Sequence, residues 1–192
     1  MARPQSLSDR DMVAGLTSAF RRAGYEGTSL AELAAATGLA KAALYHRFPA
    51  GKAAMAEAVE SAVGADFGDK VLAPLVGPGT PSERIRAMTR GLMMFYADGR
   101  HACLVEVFSI EATPEPVRRR LRAGVRKWIA TLASVLMEAG LEATEAKRRA
   151  EDAVIRTQGA LVVSRALGER RHFIDTVRSL PEHLLSPPAT TS

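Results

Sequence analysis

Two sets of side chains in this 192-residue chain have the types and spacing for chemistry. Lys41, Ala42, Tyr45 and His46 fall on one side of a short helical pattern. They offer an ammonium, a small contact, a phenol and an imidazole, groups that meet phosphates and base edges. His101, Cys103 and Glu106 form the second set, which could be read as a thiolate with a base. The second reading is weak. Cys103 sits in a strongly apolar run, where a cysteine behaves as a small buried hydrophobe. His172 and His183 have no partner pattern, and no phosphate-binding loop, dinucleotide fingerprint, zinc-protease motif or nucleophile elbow occurs. No catalytic residue, cofactor or metal is therefore expected, and an enzyme or ligand-storage protein in a helical fold is the minor alternative.

The first set is positioned by the stretch Ser29–Phe48. Ser29 and Glu32 have the S-x-x-E spacing of a capping box, which starts a helix. Leu30, Leu33 and Ala34 then recur at i, i+3 and i+4. Gly38 fits the left-handed residue that ends a helix. Leu39, Leu44 and Phe48 turn the second helix back onto the first. Two short helices about a glycine turn make a helix-turn-helix, whose second helix can enter the major groove of DNA. Any helical hairpin shares this outline, so the particular residues must decide.

Those residues closely resemble the DNA-binding signature of the TetR family of bacterial transcriptional regulators. The matching positions are Thr28, Leu30, Ala34, Thr37-Gly38-Leu39, Lys41, Leu44-Tyr45 and Phe48, continuing through Pro49, Gly51-Lys52 and Ala56-Glu57-Ala58-Val59. The form Phe-Pro-Ala-Gly-Lys at 48–52 is similar to the LmrA-like branch. Ala40 departs from the family, which commonly has serine there. Alanine cannot cap by its side chain, so this helix start should be weaker by ~1 kcal/mol. Thr28, Ser29 and Lys52 lie at helix starts, where phosphates bind favourably.

Composition sets the class. The balance of 26 Lys+Arg against 21 Asp+Glu gives +5, compatible with nucleic acid without demanding it. No window of about 18 apolar residues is present and the N-terminus lacks an apolar signal core, so a soluble cytoplasmic protein is expected. One cysteine permits no internal disulfide.

The helices follow from caps and breakers. Residues 1–7 read as an arm, with Arg3 able to reach a minor groove. A first helix is expected from Ser8 to Ala23, ended by Gly24. A fourth runs from about Gly51 to Leu72, before the Pro- and Gly-rich breaker at 74–81. Thr80-Pro81-Ser82-Glu83 starts a fifth. An apolar helix is expected over 102–112, a basic amphipathic one over 116–139 whose arginines form a solvated face, and another over 144–167. In the last helix, from Arg170, Pro181 should force a kink or an early end.

The expected fold is all-α, with about nine helices. Residues 6–66 form a DNA-binding domain with its helix-turn-helix at 29–48, residues 67–186 a ligand-binding and dimerisation domain, and 187–192 a disordered tail. Met88, Leu92, Phe95, Tyr96 and Phe108 could line a helical chamber with Trp128, Leu132 and Leu161, and Thr157 and Gln158 could orient a guest. The same residues would serve equally as core. The resemblance favours a chamber, since family members take ligands among the corresponding helices and pair their last two helices into a dimer. Ala150, Ala153, Thr157 and Ala160, with Val177, Leu180 and Leu184, are the stripes expected at a homodimer interface. The resemblance implies a repressor that binds a pseudo-palindromic double-stranded operator and is released by a small hydrophobic or aromatic effector. A DNA-binding regulator without a small-molecule ligand is the other alternative.

Overall fold

A computed structural model describes residues 8–186, and among them every regular element is helical. The expected arm with Arg3 and the expected tail lie outside the described residues. The helices are α1 (Asp9–Gly27), α2 (Leu30–Thr37), α3 (Lys41–Arg47), α4 (Lys52–Phe67), α5 (Ala73–Val76), α6 (Pro81–Phe95), α7 (Leu104–Phe108), α8 (Glu115–Glu138), α9 (Ala143–Leu167) and α10 (Arg171–Leu185). A π-helical turn, Gly68–Leu72, joins α4 to α5, so Lys52–Val76 is one helical run. No helix among the described residues is long and apolar enough to cross a membrane.

The chain forms two compact units. The described residues of the first are 8–64 and 104–121, and of the second 65–103 and 122–186. A single boundary after residue 66 therefore misses one feature: the stretch 104–121 belongs with the N-terminal helices.

Leu16, Phe20, Leu33, Leu44, Met55 and Val59 are buried in the core of the first unit with Leu104, Phe108 and Val117. Burying each large side chain contributes about 1.5–3 kcal/mol. α1 crosses α2 closely. A Cβ on Gly15 would collide with the carbonyl oxygen of Ala36. The helical backbone of α1 turns at Gly24, whose φ of 70° ends the regular stretch at the expected place. The apolar helix expected over 102–112 is only the five-residue α7, because Ile110 is exposed and the chain turns before Thr113.

In the second unit, α6 opens with the expected capping box. Thr80 Oγ1 accepts from the Glu83 amide, and a Glu83 carboxylate oxygen accepts from the Thr80 amide. Ile85, Met88, Leu92 and Phe95 are its buried face. A Cβ on Gly91 would strike the Lys70 carbonyl, so the π turn lies directly against α6. Arg84 donates to the Leu75 carbonyl at 3.1 Å and pairs with Glu138, fixing α5 and the end of α8 to α6.

α9 and α10 pack side by side. α10 does not break at Pro181 but continues to Leu185. Phe173, Val177, Leu180 and Leu184 bury its apolar stripe, and Arg149 donates to the carbonyls of Leu184 and Ser186, holding the final turn. That packing outweighs the one backbone hydrogen bond a proline removes.

Candidate nucleic-acid interface and helical interior

The geometry around α3 begins at Ser29. Its hydroxyl accepts from the Glu32 amide at 3.2 Å, and the Glu32 carboxylate accepts from the Ser29 amide at 2.7 Å. The backbone hydrogen bond from Ser29, helped by its hydroxyl, holds the Glu32 carboxyl below the usual carboxylate range. Gly38 ends α2 in the left-handed region at φ 68°, with its amide directed to the carbonyls of Ala34 and Ala35. Ala40 then begins α3 without a side-chain cap.

α3 has seven residues. Leu44 is buried and anchors it to the first core, while Lys41, Ala42, Tyr45 and His46 are exposed. Tyr45 is 47% exposed, an unusual state for a large ring with no packing role. Arg47, on the last turn, pairs with Asp9 of α1. α3 thus offers one anchored side and one free side carrying a cation, a phenol and an imidazole.

The flanking positions are used differently from expectation. Thr28 is buried, and its hydroxyl donates to the Gly24 carbonyl at 2.6 Å. It closes the end of α1, so its side chain is not available to a phosphate. Lys52 donates to the Thr28 carbonyl at 3.1 Å and lies 4.6 Å from the centre of the Tyr25 ring. It staples the start of α4 to the end of α1. Ser29 is exposed, with its hydroxyl committed to the cap.

One charged cluster in this unit was not foreseen. Arg120 donates to Glu57 at 2.9 Å and lies 3.6 Å from Glu60. Glu60 is buried, and burial pushes its carboxyl up despite Arg120 beside it. Of the rest of the basic run on α8, Arg119, Arg122, Arg126 and Lys127 are exposed as expected, while Arg118 is half-buried and pairs with Glu115 at 2.9 Å.

The interior of the second unit is aromatic. Phe67 meets Trp128 edge to face at 5.2 Å and Phe95 at 5.1 Å. Phe95 meets Tyr96 at 4.8 Å, and Tyr96 meets Phe173 at 5.6 Å. Such pairs each add ~0.5–1.5 kcal/mol beyond burial. Met88, Leu92, Leu132, Leu161 and Thr157 are buried in the same unit, and Gln158 is half-buried. Tyr96 Oη accepts from Gln158 Nε2 at 3.2 Å and lies 3.3 Å from Cys103 Sγ. Thr157 donates to the Ala153 carbonyl. Trp128 is 2% exposed, and its indole nitrogen has no hydrogen-bond partner. A buried donor left unpaired costs about 1–3 kcal/mol.

Phe108 is a correction. It was expected beside a ligand, but it lies in the other unit, edge to face on Phe20 at 5.3 Å, because α7 completes the first core. Phe67 and Phe173 stand in the ring cluster instead. The signal for Phe67 was a four-residue step from Val63 along α4.

The expected dimer stripes are also placed differently. Ala150, Ala153, Thr157, Val177, Leu180 and Leu184 are buried within the chain itself, and Ala160 is half-buried. Small residues on α9 serve its close packing with α10. The large apolar residues that α9 leaves exposed are Ile155, Val162, Val163 and Leu167, which lie along one side of the helix.

Residues 14–59 match the family described as bacterial regulatory proteins, tetR family. Residues 81–178 match transcriptional regulator LmrA/YxaF-like, C-terminal domain. Among functionally curated proteins, no sequence matches the chain. Several solved structures are similar over nearly their whole length. A TetR transcriptional regulator from Legionella pneumophila has a TM-score of 0.80 at 18% identity, covering 94% of this chain and 98% of that one. A TetR-family transcriptional regulator from Agrobacterium tumefaciens has 0.77 at 26% identity, covering 90% and 95%. The regulatory protein TetR from Rhodobacter sphaeroides has 0.77 at 24% identity, covering 93% and 99%. With an exposed side of α3 on a buried core and matches across both halves, the chain belongs to the TetR family of transcriptional regulators, in its LmrA-like branch.

Proposed function

We propose that this regulator is a dimeric repressor, released from a pseudo-palindromic operator by a small apolar or aromatic molecule. The observation that carries the DNA side is α3, anchored by Leu44 and free at Lys41, Ala42, Tyr45 and His46. Lys41 and Tyr45 meet phosphates and base edges, with His46 beside them. The Lys52 ammonium has donors beyond the one given to Thr28, and the exposed Ser29 lies at the start of α2. The ligand side is supported by the ring cluster of Phe67, Phe95, Tyr96 and Trp128, with uncharged polar groups at Gln158 and Cys103.

Coupling runs through the helical run Lys52–Val76, which starts in the first unit and continues into the second. A guest that prefers a different packing of the second unit shifts that run and favours the state with lower operator affinity. The dimer uses α9 and α10, as in the family, but through Ile155, Val162, Val163 and Leu167 with Ala160 at their border. Four exposed apolar side chains on one helical face are a surface that a two-fold partner would cover.

The test is a thermodynamic cycle. A duplex obtained by selection from random sequence is titrated by fluorescence anisotropy between about 50 and 200 mM salt, where a steep loss of affinity marks phosphate contacts. Apolar compounds that raise the melting temperature are then added. Each should weaken DNA binding, and DNA should weaken binding of the compound by the same factor. A protein that binds duplex DNA with an affinity no such compound alters is a regulator without this gate. Sedimentation at micromolar concentration should give a dimer, and Val163→Glu should give a monomer.

A further inference from the structure

We infer that the indole N–H of Trp128 is the donor that selects the effector, and that the effector is a neutral, ring-containing molecule bearing a hydrogen-bond acceptor such as a carbonyl. This rests on the ligand-gated reading above and makes the chemistry of its guest specific.

Three observations converge. Trp128 is buried and its nitrogen has no partner, although an indole nitrogen can only donate. The group can be satisfied only by an acceptor. The ring packed against it, Phe67, and the ring beyond that, Phe95, are apolar and offer none. The polar atoms of the same cluster are already engaged with one another, Tyr96 with Gln158 and Cys103, and Thr157 with the Ala153 carbonyl. Trp128 is thus a donor of this interior that is fully buried and has no partner at all.

The other buried polar atoms without a hydrogen bond differ in kind. Those of Arg84, Arg118, His172 and Glu60 belong to groups that lie in ion pairs with Glu138, Glu115, Glu169 and Arg120, and Arg21 is a charged group with a partner of its own. Thr113 Oγ1 is neutral and buried like the indole nitrogen, but it lies in the first unit, away from this ring cluster, and a hydroxyl can accept as well as donate. The Trp128 side chain carries a single polar atom and no charge. Its aromatic surroundings argue for the neutrality of the guest as well. A carboxylate or ammonium lodged among Phe67, Phe95 and Trp128 would be a buried charge without a counter-charge among these rings. A ketone or similar acceptor on an aromatic frame satisfies the donor and keeps the apolar contacts.

The experiment uses the full chain and two matched pairs of probes, fluorene with 9-fluorenone and diphenylmethane with benzophenone. Each pair differs by one carbonyl. The protein has one tryptophan, so its ¹H–¹⁵N spectrum holds one indole cross-peak. The expected result is that each ketone binds at least fivefold tighter than its hydrocarbon and moves the indole proton downfield. In Trp128→Phe the ketone and the hydrocarbon should bind alike. Equal binding of ketone and hydrocarbon to the native protein overturns the donor assignment while leaving an apolar chamber. So does a ketone preference that survives in Trp128→Phe. Should the variant not fold, the native spectrum decides: a ketone that binds without moving the indole proton overturns the assignment. If none of the four compounds binds, the donor and the chamber both fall. Selective ketone binding that leaves DNA affinity unchanged keeps the donor and overturns only the gate.

Discussion

The two units place their polar groups in opposite ways. In the first, the side chains suited to recognition stand outside, on the free side of α3, while Glu60 is buried beside Arg120. In the second, the neutral polar groups Tyr96, Gln158 and Trp128 are inside or half-buried, and Arg122 and Arg126 of α8 are exposed. The difference teaches where a function can be read. A helix that reads a surface keeps its working residues out of the core, so an exposed Tyr45 has no packing reason to exist. An interior that takes a guest would use the same residues that fill a core, so burial alone cannot mark it.

The strongest way to break this contrast is to remove the core of one unit alone. Phe20→Ala deletes a fully buried ring that meets both Phe108 and Tyr25, and should cost about 3–5 kcal/mol. Trp128 lies in the second unit and is the sole tryptophan. Urea unfolding followed by helical circular dichroism should therefore begin well before the loss of indole fluorescence. Coincident shifts of both probes would mean that the units unfold as one, and the contrast would have no energetic basis.

A middle-sized effect tests the exposed side. Lys41→Ala and Tyr45→Ala should each weaken DNA binding by ~1–3 kcal/mol with the melting temperature nearly unchanged. If both variants bind the selected duplex as well as the native chain does, α3 is not the reading helix.

Ala40→Ser is smaller and opposite in sign. It supplies the missing cap of α3 and should stabilise the first unit by about 0.5–1 kcal/mol, raising the first of the two urea midpoints. No gain would mean that packing of Leu44 already fixes the start of this helix.

The smallest expected effect is one of pH. Burial raises the carboxyl of Glu60 in the folded state, so between its unfolded and folded values the native state binds the extra proton. Stability contributed by this group is present at acid pH and lost as pH rises through the raised value. Glu60→Gln should therefore raise the melting temperature more near neutrality than in acid. Arg120 keeps Glu57 as a partner, which limits the change. A gain that is the same at every pH would show that Glu60 is not paying for its burial.

Much of the fold was legible because its punctuation is local. The boxes Ser29–Glu32 and Thr80–Glu83, the left-handed Gly38 and the uncapped Ala40 are all settled within a few residues of chain, and each stands as expected. Long-range partners were not legible. Phe108 and Ile110 read alike in sequence, yet one is buried against Phe20 and the other is exposed. Thr28 matched a DNA-binding signature, but which acceptor its hydroxyl finds depends on how α1 ends. The small residues of α9 announced a close helix neighbour without saying that the neighbour is α10 of the same chain. The early end weighed for Pro181 does not occur, because a local penalty is offset by packing that the local sequence does not display.

The membership of residues 104–121 in the first unit has a consequence for how the protein comes into being. Leu104, Phe108 and Val117 leave the ribosome long after α3, an interval of several seconds at about 5–20 residues per second. During that time the reading head is an unfinished object, with Phe20 and Leu16 lacking part of their cover. More than a third of the second unit, residues 65–103, is made while the first still waits. The head is therefore not a cassette that can be lifted out by cutting at the helical run after Lys52. A chain that stops anywhere before residue 104 carries Lys41 and Tyr45 but lacks three members of the core that seats their helix.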